Sequence, residues 1–331
     1  MMWSLLVTTL AAAAFIAFSA SALTGLSLLA PARVGSAFSP AARARGLLVL
    51  CVLPALTCAL VMSAALAPTF GWIADHCFGM GELPDHSHPH ICDHHAAELP
   101  ALSLLALAGF LVARVVQRAA SLAISLVRSL RAAAQLERLA MKLPSDDGEL
   151  RVLPLDAPQA FVLGWLRPTL YATQGLMAAQ HREHLAAVLA HERAHLRRAD
   201  GLRSLIASAG LAFHLPFIAR ALRERLASAQ EMAADAEAAD ALGDRSLVAR
   251  ALVHVARAQL RLGPDLPDGA FAFGADHIEL RVRSLLDDRP LLSWPSSRAL
   301  WLSFACAGAL IALHASAVHH AVEQALGLLA H

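Results

Sequence analysis

The chain of 331 residues contains few charged side chains. Asp, Glu, Lys and Arg make up 16% of it and hydrophobic residues 57%, whereas soluble domains carry about 25% charged residues. This apolar excess is larger than a soluble core of this size can hold, so membrane spans are the expected place for it. The formal net charge is only +1. The absence of a basic excess argues against direct contact with nucleic acid.

Cysteines are also few, and none of the five shows the spacing of a zinc ribbon. Cys51, Cys58 and Cys306 lie inside apolar stretches, where we expect them to pack as small buried hydrophobes. Cys77 and Cys92 lie in a polar loop. An oxidising compartment would permit a disulfide between these two, so their chemistry depends on the side of the membrane that the loop faces.

Four stretches approach or exceed the roughly 20 apolar residues that are needed to cross a bilayer. The predicted spans lie at about 4–30, 46–67, 101–117 and 299–318. The first stretch resembles a signal peptide, but no Lys or Arg precedes it and its apolar run continues past the small residues, so we interpret it as an uncleaved span. Arg114 interrupts the third stretch and must extend toward an interface.

Arginine is distributed unevenly between these spans, which predicts their orientation. The segment between the first two spans carries three arginines and no acid, segment 69–100 carries five acids and no Lys or Arg, and four arginines and Lys142 follow the third span. Positively charged segments stay in the cytoplasm. We therefore expect a multi-pass protein of the inner (plasma) membrane with both termini outside and the long segment before the fourth span in the cytoplasm.

The predicted fold is mainly α and integral to the membrane, with a cytoplasmic helical domain inserted between spans 3 and 4. The expected units are a three-span region at 1–118 with an outside loop at 69–100, the cytoplasmic domain at 119–297, and a fourth span with a short outside tail at 298–331. The domain is expected to begin with an amphipathic helix at 122–143. Alternating apolar residues then predict a small β element of two or three strands at 150–155, 160–164 and 169–173.

The rest of this domain, from 176 to 286, has a helical pattern with breaks at Gly201, Gly243 and 263–274. The hydrophobic stretch 202–219 is interrupted by His214 and Pro216. This stretch is consistent with a buried helix hairpin and also with a segment that enters the membrane.

The motif His191-Glu192-Arg193-Ala194-His195 lies in a predicted helix at 178–200. Residues four apart project from nearly the same helix face, so the two imidazoles can chelate one zinc ion. Glu192 is offset along the helix and can reach a water at the ion without binding it. The alternative is two chance histidines in a His-rich chain. An apolar stripe is expected to pack this helix against the domain; it consists of Leu185, Val188, Leu189 and Leu196.

A catalytic zinc site needs three protein ligands and one open position. Glu231, on a separate predicted helix, is the candidate third ligand. Asp235 follows one turn later on the same face and can orient a zinc-bound histidine through its second ring nitrogen. Taken alone, these two acids are also consistent with a solvated helix face.

These parts predict a peptide-bond hydrolase with one catalytic Zn²⁺, in which Glu192 takes a proton from water and delivers it to the leaving amine. Strand 160–164 is a candidate for main-chain pairing with an extended peptide. The oxyanion stabiliser is not identified by the sequence. Its candidates are Tyr171, His214, His277, Arg281 and Arg283.

Several segments together resemble the BlaR/MecR-type antirepressor membrane zinc metallopeptidases, which are gluzincins with a downstream Glu. They are 161–168 (FVLGWLRP), 187–195 (AVLAHERAH) with Arg198 and Asp200, 231–235 (EMAAD) and 279–286 (ELRVRSLL). The resemblance covers residues 119–297, and the order of the flanking spans also fits. It implies that His191, His195 and Glu231 bind zinc and that Glu192 is the catalytic base. It also implies cleavage of a cytoplasmic protein, typically a dimeric winged-helix repressor, upon an external signal.

Those receptors carry a large extracellular penicillin-binding domain after the fourth span, and the sequence departs from this pattern. Only about a dozen residues follow residue 318. We therefore expect no β-lactam sensing of that form, and the trigger stays open.

Two other functions are compatible with the motif. One is a housekeeping membrane protease of the HtpX or CAAX-processing type, which shares the pentapeptide. The other is a membrane metal sensor without hydrolysis. Glu192 argues against the sensor, because a pure binding site has no need of this base.

The outside loop is rich in metal-binding side chains, and imidazole and thiolate suit copper and zinc. We hypothesise that it senses an extracellular metal ion together with histidines at the C-terminal end of the chain; the alternative is a solvated loop closed by a disulfide. The residues concerned are His76, Cys77, His86, His88, His90, Cys92, His94 and His95.

Overall fold

The computed structural model describes residues 2–29, 37–67, 102–145, 148–179, 182–261, 275–287 and 297–330, together with Phe70, Trp72 and Leu292. Helices dominate these residues, and one small sheet lies between the third and fourth helices along the chain. The expectation of a mainly α fold with a small β element is confirmed. Nearly all of the proposed sensor loop at 69–100, including all its histidines and cysteines, lies outside the described residues.

Among the described residues, three single helices are long and apolar enough to cross a membrane. They are α1 (Met2–Ser27), α2 (Pro40–Ala65) and α3 (Leu102–Leu139). Helix α1 packs against both α2 and α3, and alanines fill much of the core between them. Small side chains let apolar helices approach closely. Ser39 caps the start of α2, where its Oγ accepts a hydrogen bond from the Ala42 amide at 3.2 Å.

Helix α3 is one continuous helix of 38 residues. The prediction of an amphipathic helix at 122–143 is therefore wrong in both bounds. This segment belongs to the second half of α3, which ends at Leu139, and the chain is already a strand at Met141. No proline interrupts the sequence of α3, so nothing in the backbone forces a break.

The expected fourth span at 299–318 is not one straight helix. Helix α10 (Ser297–Leu313) and helix α11 (Ala315–Ala330) meet at His314 with a bend of 80°, and only the pair together is long and apolar enough to cross a membrane. Helix α11 packs back against α2 and α3, where Val322 and Leu326 join the core.

The sheet has four strands in the order β1-β2-β4-β3. They are β1 (Met141–Ser145), β2 (Gly148–Leu153), β3 (Ala160–Leu163) and β4 (Thr169–Thr173). Strands β2 and β4 are parallel and the other two pairs are antiparallel. The three expected strands are present, and β1 is an additional one. In this order β3 forms an edge of the sheet.

Within the described residues, six helices lie between the sheet and α10. They are α4 (Gln174–Ala179), α5 (Arg182–Arg198), α6 (Asp200–Gly210), α7 (Pro216–Leu242), α8 (Arg245–Arg261) and α9 (Ala275–Leu286), with a 3-10 turn at Leu211–Phe213 before α7. The break expected at Gly201 lies at Ala199, which adopts the left-handed conformation (φ 51°). The break at Gly243 is confirmed; its φ of 69° suits a glycine that ends a helix. The third expected break, 263–274, lies outside the described residues.

Helix α5 lies between the sheet and the other helices. Its apolar stripe of Leu185, Val188, Leu189 and Leu196 packs on the sheet core, as predicted. Its opposite face carries Ala187 and Ala190, which pack against α7 and α8. Because both faces of α5 are fixed, the side chains between them are held in place.

Candidate metal centre

Helix α5 places His191 and His195 one turn apart on the same face. Their Nε2 atoms are 3.2 Å apart, and the rings meet edge to face with centroids 4.8 Å apart. Both imidazoles thus direct the same nitrogen toward one point.

Glu231 completes this group from helix α7, which packs directly against α5. Its Oε2 lies 3.5 Å from His191 Nε2 and its Oε1 lies 3.5 Å from His195 Nε2. Two ligands that each lie 2.0–2.2 Å from a tetrahedral ion are about 3.3–3.6 Å apart. Each oxygen of the Glu231 carboxylate thus faces one histidine, and the three side chains are close enough to hold a single metal ion. Three ligands leave the fourth position of a tetrahedral ion open. No second group of this kind occurs in the part of the chain that the structure describes.

The other ring nitrogen of each histidine contacts a carboxylate. His191 Nδ1 lies 2.8 Å from Asp235 Oδ1, and His195 Nδ1 lies 2.9 Å from Asp200 Oδ2. An ionised carboxylate only accepts hydrogen bonds, so each imidazole in its neutral form keeps its proton on Nδ1 and offers the Nε2 lone pair to a metal.

Arg281, on helix α9, ties the acids of α7 together. It is buried and donates two hydrogen bonds of 2.7 Å to Asp235, while its Nη1 lies 3.1 Å from Glu231 Oε2. Burial alone would raise the pKa values of both acids. His191 and Arg281 outweigh this effect and lower the pKa of Glu231, and likewise that of Asp235, to about 2. Both groups are thus ionised and ready to bind a cation or orient a ligand.

Asp200 is held in a similar way at the start of α6. Arg198 Nε donates to its Oδ2 at 3.1 Å, and Arg203 Nη1 lies 3.5 Å from its Oδ1. Asp200 is buried. Because two arginines orient its carboxylate, His195 has a fixed acceptor.

Glu192 lies beside this cluster. Burial raises the pKa of its carboxyl, and the charges of His191 and His195 act in the opposite direction. A carboxyl with a raised pKa gives up and recovers a proton more readily near neutral pH than an exposed one.

The pKa of His191 is also shifted. Burial disfavours its charged form, but Asp235 and Glu231 more than offset this effect and raise the pKa of His191 to about 10.

The oxyanion candidates from the sequence have other contacts. Tyr171 is buried in the sheet and stacks on Phe161 at 5.5 Å. His214 bonds to the helices α1 and α2, Arg281 holds the two acids, and Arg283 pairs with Glu279 on the surface of α9. The side chain of His277 lies outside the described part of the molecule.

Sequence reasoning missed two contacts of the centre. The sequence indicates Asp200 only through the family resemblance, and Arg281 only through that resemblance and as an oxyanion candidate. Asp200 reaches His195 because the left-handed Ala199 turns the chain between α5 and α6. Helical periodicity does not extend across such a turn, so spacing carries no signal for this contact.

Comparison with protein families identifies a match to this chain. A family model described as BlaR1 peptidase M56 matches residues 6–285, which is most of the chain. Neither the curated proteins nor the solved structures contain a match.

Proposed function

The chain belongs to the BlaR1 peptidase M56 family, and from this membership we propose that it is a membrane zinc metalloendopeptidase. His191, His195 and Glu231 are its zinc ligands and Glu192 is its general base. The observation that carries the proposal is the convergence of two Nε2 atoms and one carboxylate at 3.2–3.5 Å. Two imidazoles and one carboxylate are a donor set that catalytic zinc takes, and the geometry leaves the fourth position open.

The zinc ion and the residues around it have separate roles in hydrolysis. A bound zinc ion supplies Lewis acidity, which activates water and polarises the scissile carbonyl. Glu192 accepts a proton as the water oxygen attacks the carbonyl carbon. When the C–N bond breaks, Glu192 delivers this proton to the amine nitrogen. Asp235 and Asp200 keep the two imidazoles oriented throughout, so the ligand geometry needs no rearrangement during the reaction.

Strand β3 is the proposed binding element for the substrate. It is an edge of the sheet, pairs with β4 from Ala160 to Leu163, and packs beside α5. An edge strand offers main-chain donors and acceptors to an extended peptide. A peptide added to β3 would run past the helix that carries His191 and Glu192.

We propose that the domain at 119–297 is cytoplasmic and that the regions 1–118 and 298–331 are embedded in the inner membrane, with both termini outside. The charge asymmetry of the segments between the spans supports this orientation. The length of helix α3 supports a direct connection between the membrane region and the cytoplasmic domain. Its 38 residues extend for about 57 Å, nearly twice the roughly 30 Å of a bilayer core. The second half of α3 would therefore project into the cytoplasm and carry the sheet.

The proposed substrate is a cytoplasmic regulatory protein, such as a transcriptional repressor, that is cleaved in response to an extracytoplasmic signal. The family match favours this type of peptidase over a housekeeping HtpX or CAAX-type protease. The position of Glu192 beside the metal ligands favours hydrolysis over metal sensing alone.

Substrate trapping tests the proposal. The Glu192→Gln variant keeps a polar side chain of the same size but cannot accept a proton. We expect it to bind about one zinc ion per chain, to cleave nothing, and to retain a cytoplasmic protein that is identified by mass spectrometry after crosslinking. Full proteolytic activity of this variant would rule out the assigned base. A loss of zinc would show instead that Glu192 is a ligand.

A further inference from the structure

The turn between α6 and α7 is bound by the three apolar helices α1, α2 and α3. We call residues 211–215 the His214 turn. The side chain of His214 is fully buried. On the α1 side, Ser21 Oγ lies 3.1 Å from His214 Nδ1 and accepts a hydrogen bond of 3.0 Å from the Leu215 amide.

On the α2 side, His214 compensates for a proline. In a regular helix the amide of residue 54 would donate to the carbonyl of Leu50. Pro54 has no N–H, so this carbonyl lacks its helical donor. His214 Nε2 lies 3.2 Å from Leu50 O and 3.2 Å from Cys51 O. A histidine of the α6–α7 turn thus satisfies a backbone group inside a candidate membrane helix.

These contacts select one form of the imidazole. Carbonyl oxygens only accept, so Nε2 carries the proton. Nδ1 then accepts from the Ser21 hydroxyl, whose oxygen in turn accepts from the Leu215 amide. Both ring nitrogens of a neutral His214 are thus satisfied, and the ring fixes the rotation of the turn against α1 and α2.

Two further contacts hold the turn. Arg114 of α3 places its Nη2 3.5 Å from Leu211 O and 3.5 Å from His214 O. Gly210 lies so close to α2 that a Cβ at this position would be 2.5 Å from Cys51 O. The turn therefore has little room to move independently of these helices.

The two helices that leave this turn carry parts of the metal centre. Helix α6 begins with Asp200, about 15 Å from Gly210 along the helix, and α7 carries Glu231 about 22 Å from Pro216. Ser204 of α6 and Gln230 of α7 are joined by a hydrogen bond of 3.2 Å. Helices transmit a displacement at one end to the other because they are stiff.

We propose that His214 is a positioning residue for the metal centre. By joining the α6–α7 turn to α1 and α2, its side chain determines where Asp200 and Glu231 lie relative to His191 and His195. A movement of the apolar helices then reaches the ligands through α6 and α7. This inference rests on the proposed function for the identity of the metal, but the contacts of the turn are independent of it.

A pair of substitutions of similar volume tests the proposal. His214→Leu fills the space but can neither donate nor accept, whereas His214→Gln retains a donor and an acceptor. In His214→Leu we expect the zinc dissociation constant to rise about tenfold, the lower end for a group that orients ligands. His214→Gln should recover most of this loss. His254→Leu, at an exposed position of α8, is the control and should bind zinc as the wild type does.

Hydrogen exchange in the metal-free protein provides a measurement that does not need the loaded enzyme. His214→Leu should accelerate exchange in 200–212 and 216–231, with less change in β1–β4. Adding Pro54→Ala to His214→Leu gives the Leu50 carbonyl a helical donor again. This double variant should recover part of the lost zinc affinity, which is the non-additive result expected for coupled residues. Ser21→Ala removes only one contact of His214, so it should accelerate exchange and weaken zinc binding less than His214→Leu does. It tests the proposal also in the case that His214→Leu folds poorly.

The outcomes separate the two proposals. If the wild type binds no zinc, the proposed function fails, while exchange still tests the turn. If His214→Leu and Ser21→Ala leave the zinc affinity at the wild-type value, the positioning role is wrong, whether or not exchange at the turn increases. Equal losses in His214→Leu and His214→Gln would also overturn it, since the hydrogen bonds would then be irrelevant.

Discussion

Arg281 and Asp235 lie on different helices and face each other across two hydrogen bonds of 2.7 Å. The same guanidinium reaches Glu231 at 3.1 Å. Asp235 in turn contacts His191, so one arginine orients two members of the metal centre and a third through its neighbour. Helix α9 is therefore part of the centre, although it supplies no metal ligand.

The first prediction concerns this arginine. Arg281→Lys keeps one positive charge but loses the planar fork that binds Asp235 with two bonds. We expect the zinc dissociation constant to rise about 10–100-fold, as for other groups that orient ligands. Competition with a chromophoric chelator measures this constant.

Arg283→Lys is the matched control, because Arg283 lies on the exposed side of α9 and pairs only with Glu279 within the described residues. Its zinc affinity should equal that of the wild type. Equal affinities of Arg281→Lys and the wild type would show that Arg281 merely packs α9 against α7.

The second prediction concerns Asp200. Asp200→Ala removes the acceptor at His195 Nδ1, so this ring is free to rotate and to exchange its tautomer. It also leaves Arg198 without its carboxylate partner. We expect zinc affinity to fall about 10–100-fold, and Glu231→Ala to lower it further because Glu231 is a proposed ligand. Asp240→Ala, at an exposed position of α7, is the control for a change of charge. If Asp200→Ala and Asp240→Ala bind zinc equally well, the His195 contact is dispensable.

The sequence predicts the geometry of the candidate metal centre wherever one helix carries the pattern. His191, His195 and the apolar stripe of α5 share a single helical period, so their relative placement follows from spacing alone. Asp235 likewise follows Glu231 by one turn of α7. The contacts made by Asp200 and Arg281 depend on a left-handed residue and on the packing of α9, which periodicity does not encode.

The same distinction applies to the fold. Strands β2, β3 and β4 have alternating apolar residues, which predict strands. The sequence of β1 contains Lys142 and Pro144, and this pattern is typical of the end of a helix. A proline is compatible with β1 because this strand is an edge of the sheet. The 80° bend at His314 involves neither glycine nor proline, so composition gives no sign of it.

The third prediction concerns orientation in the membrane. Reporter fusions after Arg45 and after Lys142 should report the cytoplasm, and fusions near Gly81 and His331 should report the outside, because arginine-rich segments stay inside. Paired reporters, one active on each side, provide the control at every position. An outside signal at Lys142 would place the peptidase domain on the other side of the membrane.

The last prediction is the pH dependence of zinc binding. In the metal-free protein, Asp235 and Glu231 raise the pKa of His191 to about 10, so this imidazole is protonated at neutral pH. A histidine that binds zinc must be neutral, and zinc binding therefore displaces one proton from His191. Between about pH 6.5, the ordinary value for histidine, and pH 10, affinity should rise up to about tenfold per pH unit. Calorimetry in buffers of different ionisation enthalpy measures the released proton directly.

The stability of the metal-free protein changes with pH in the direction opposite to the zinc affinity. A raised pKa means that the contact of protonated His191 with Asp235 stabilises the metal-free fold below about pH 6.5, and this contribution is lost as the pH approaches 10. The metal-free protein should thus lose stability over the range in which zinc affinity increases. Asp235→Asn removes the carboxylate charge beside His191 and should release less than one proton per zinc at neutral pH. Proton release equal to that of the wild type would show that Asp235 does not raise the pKa of His191.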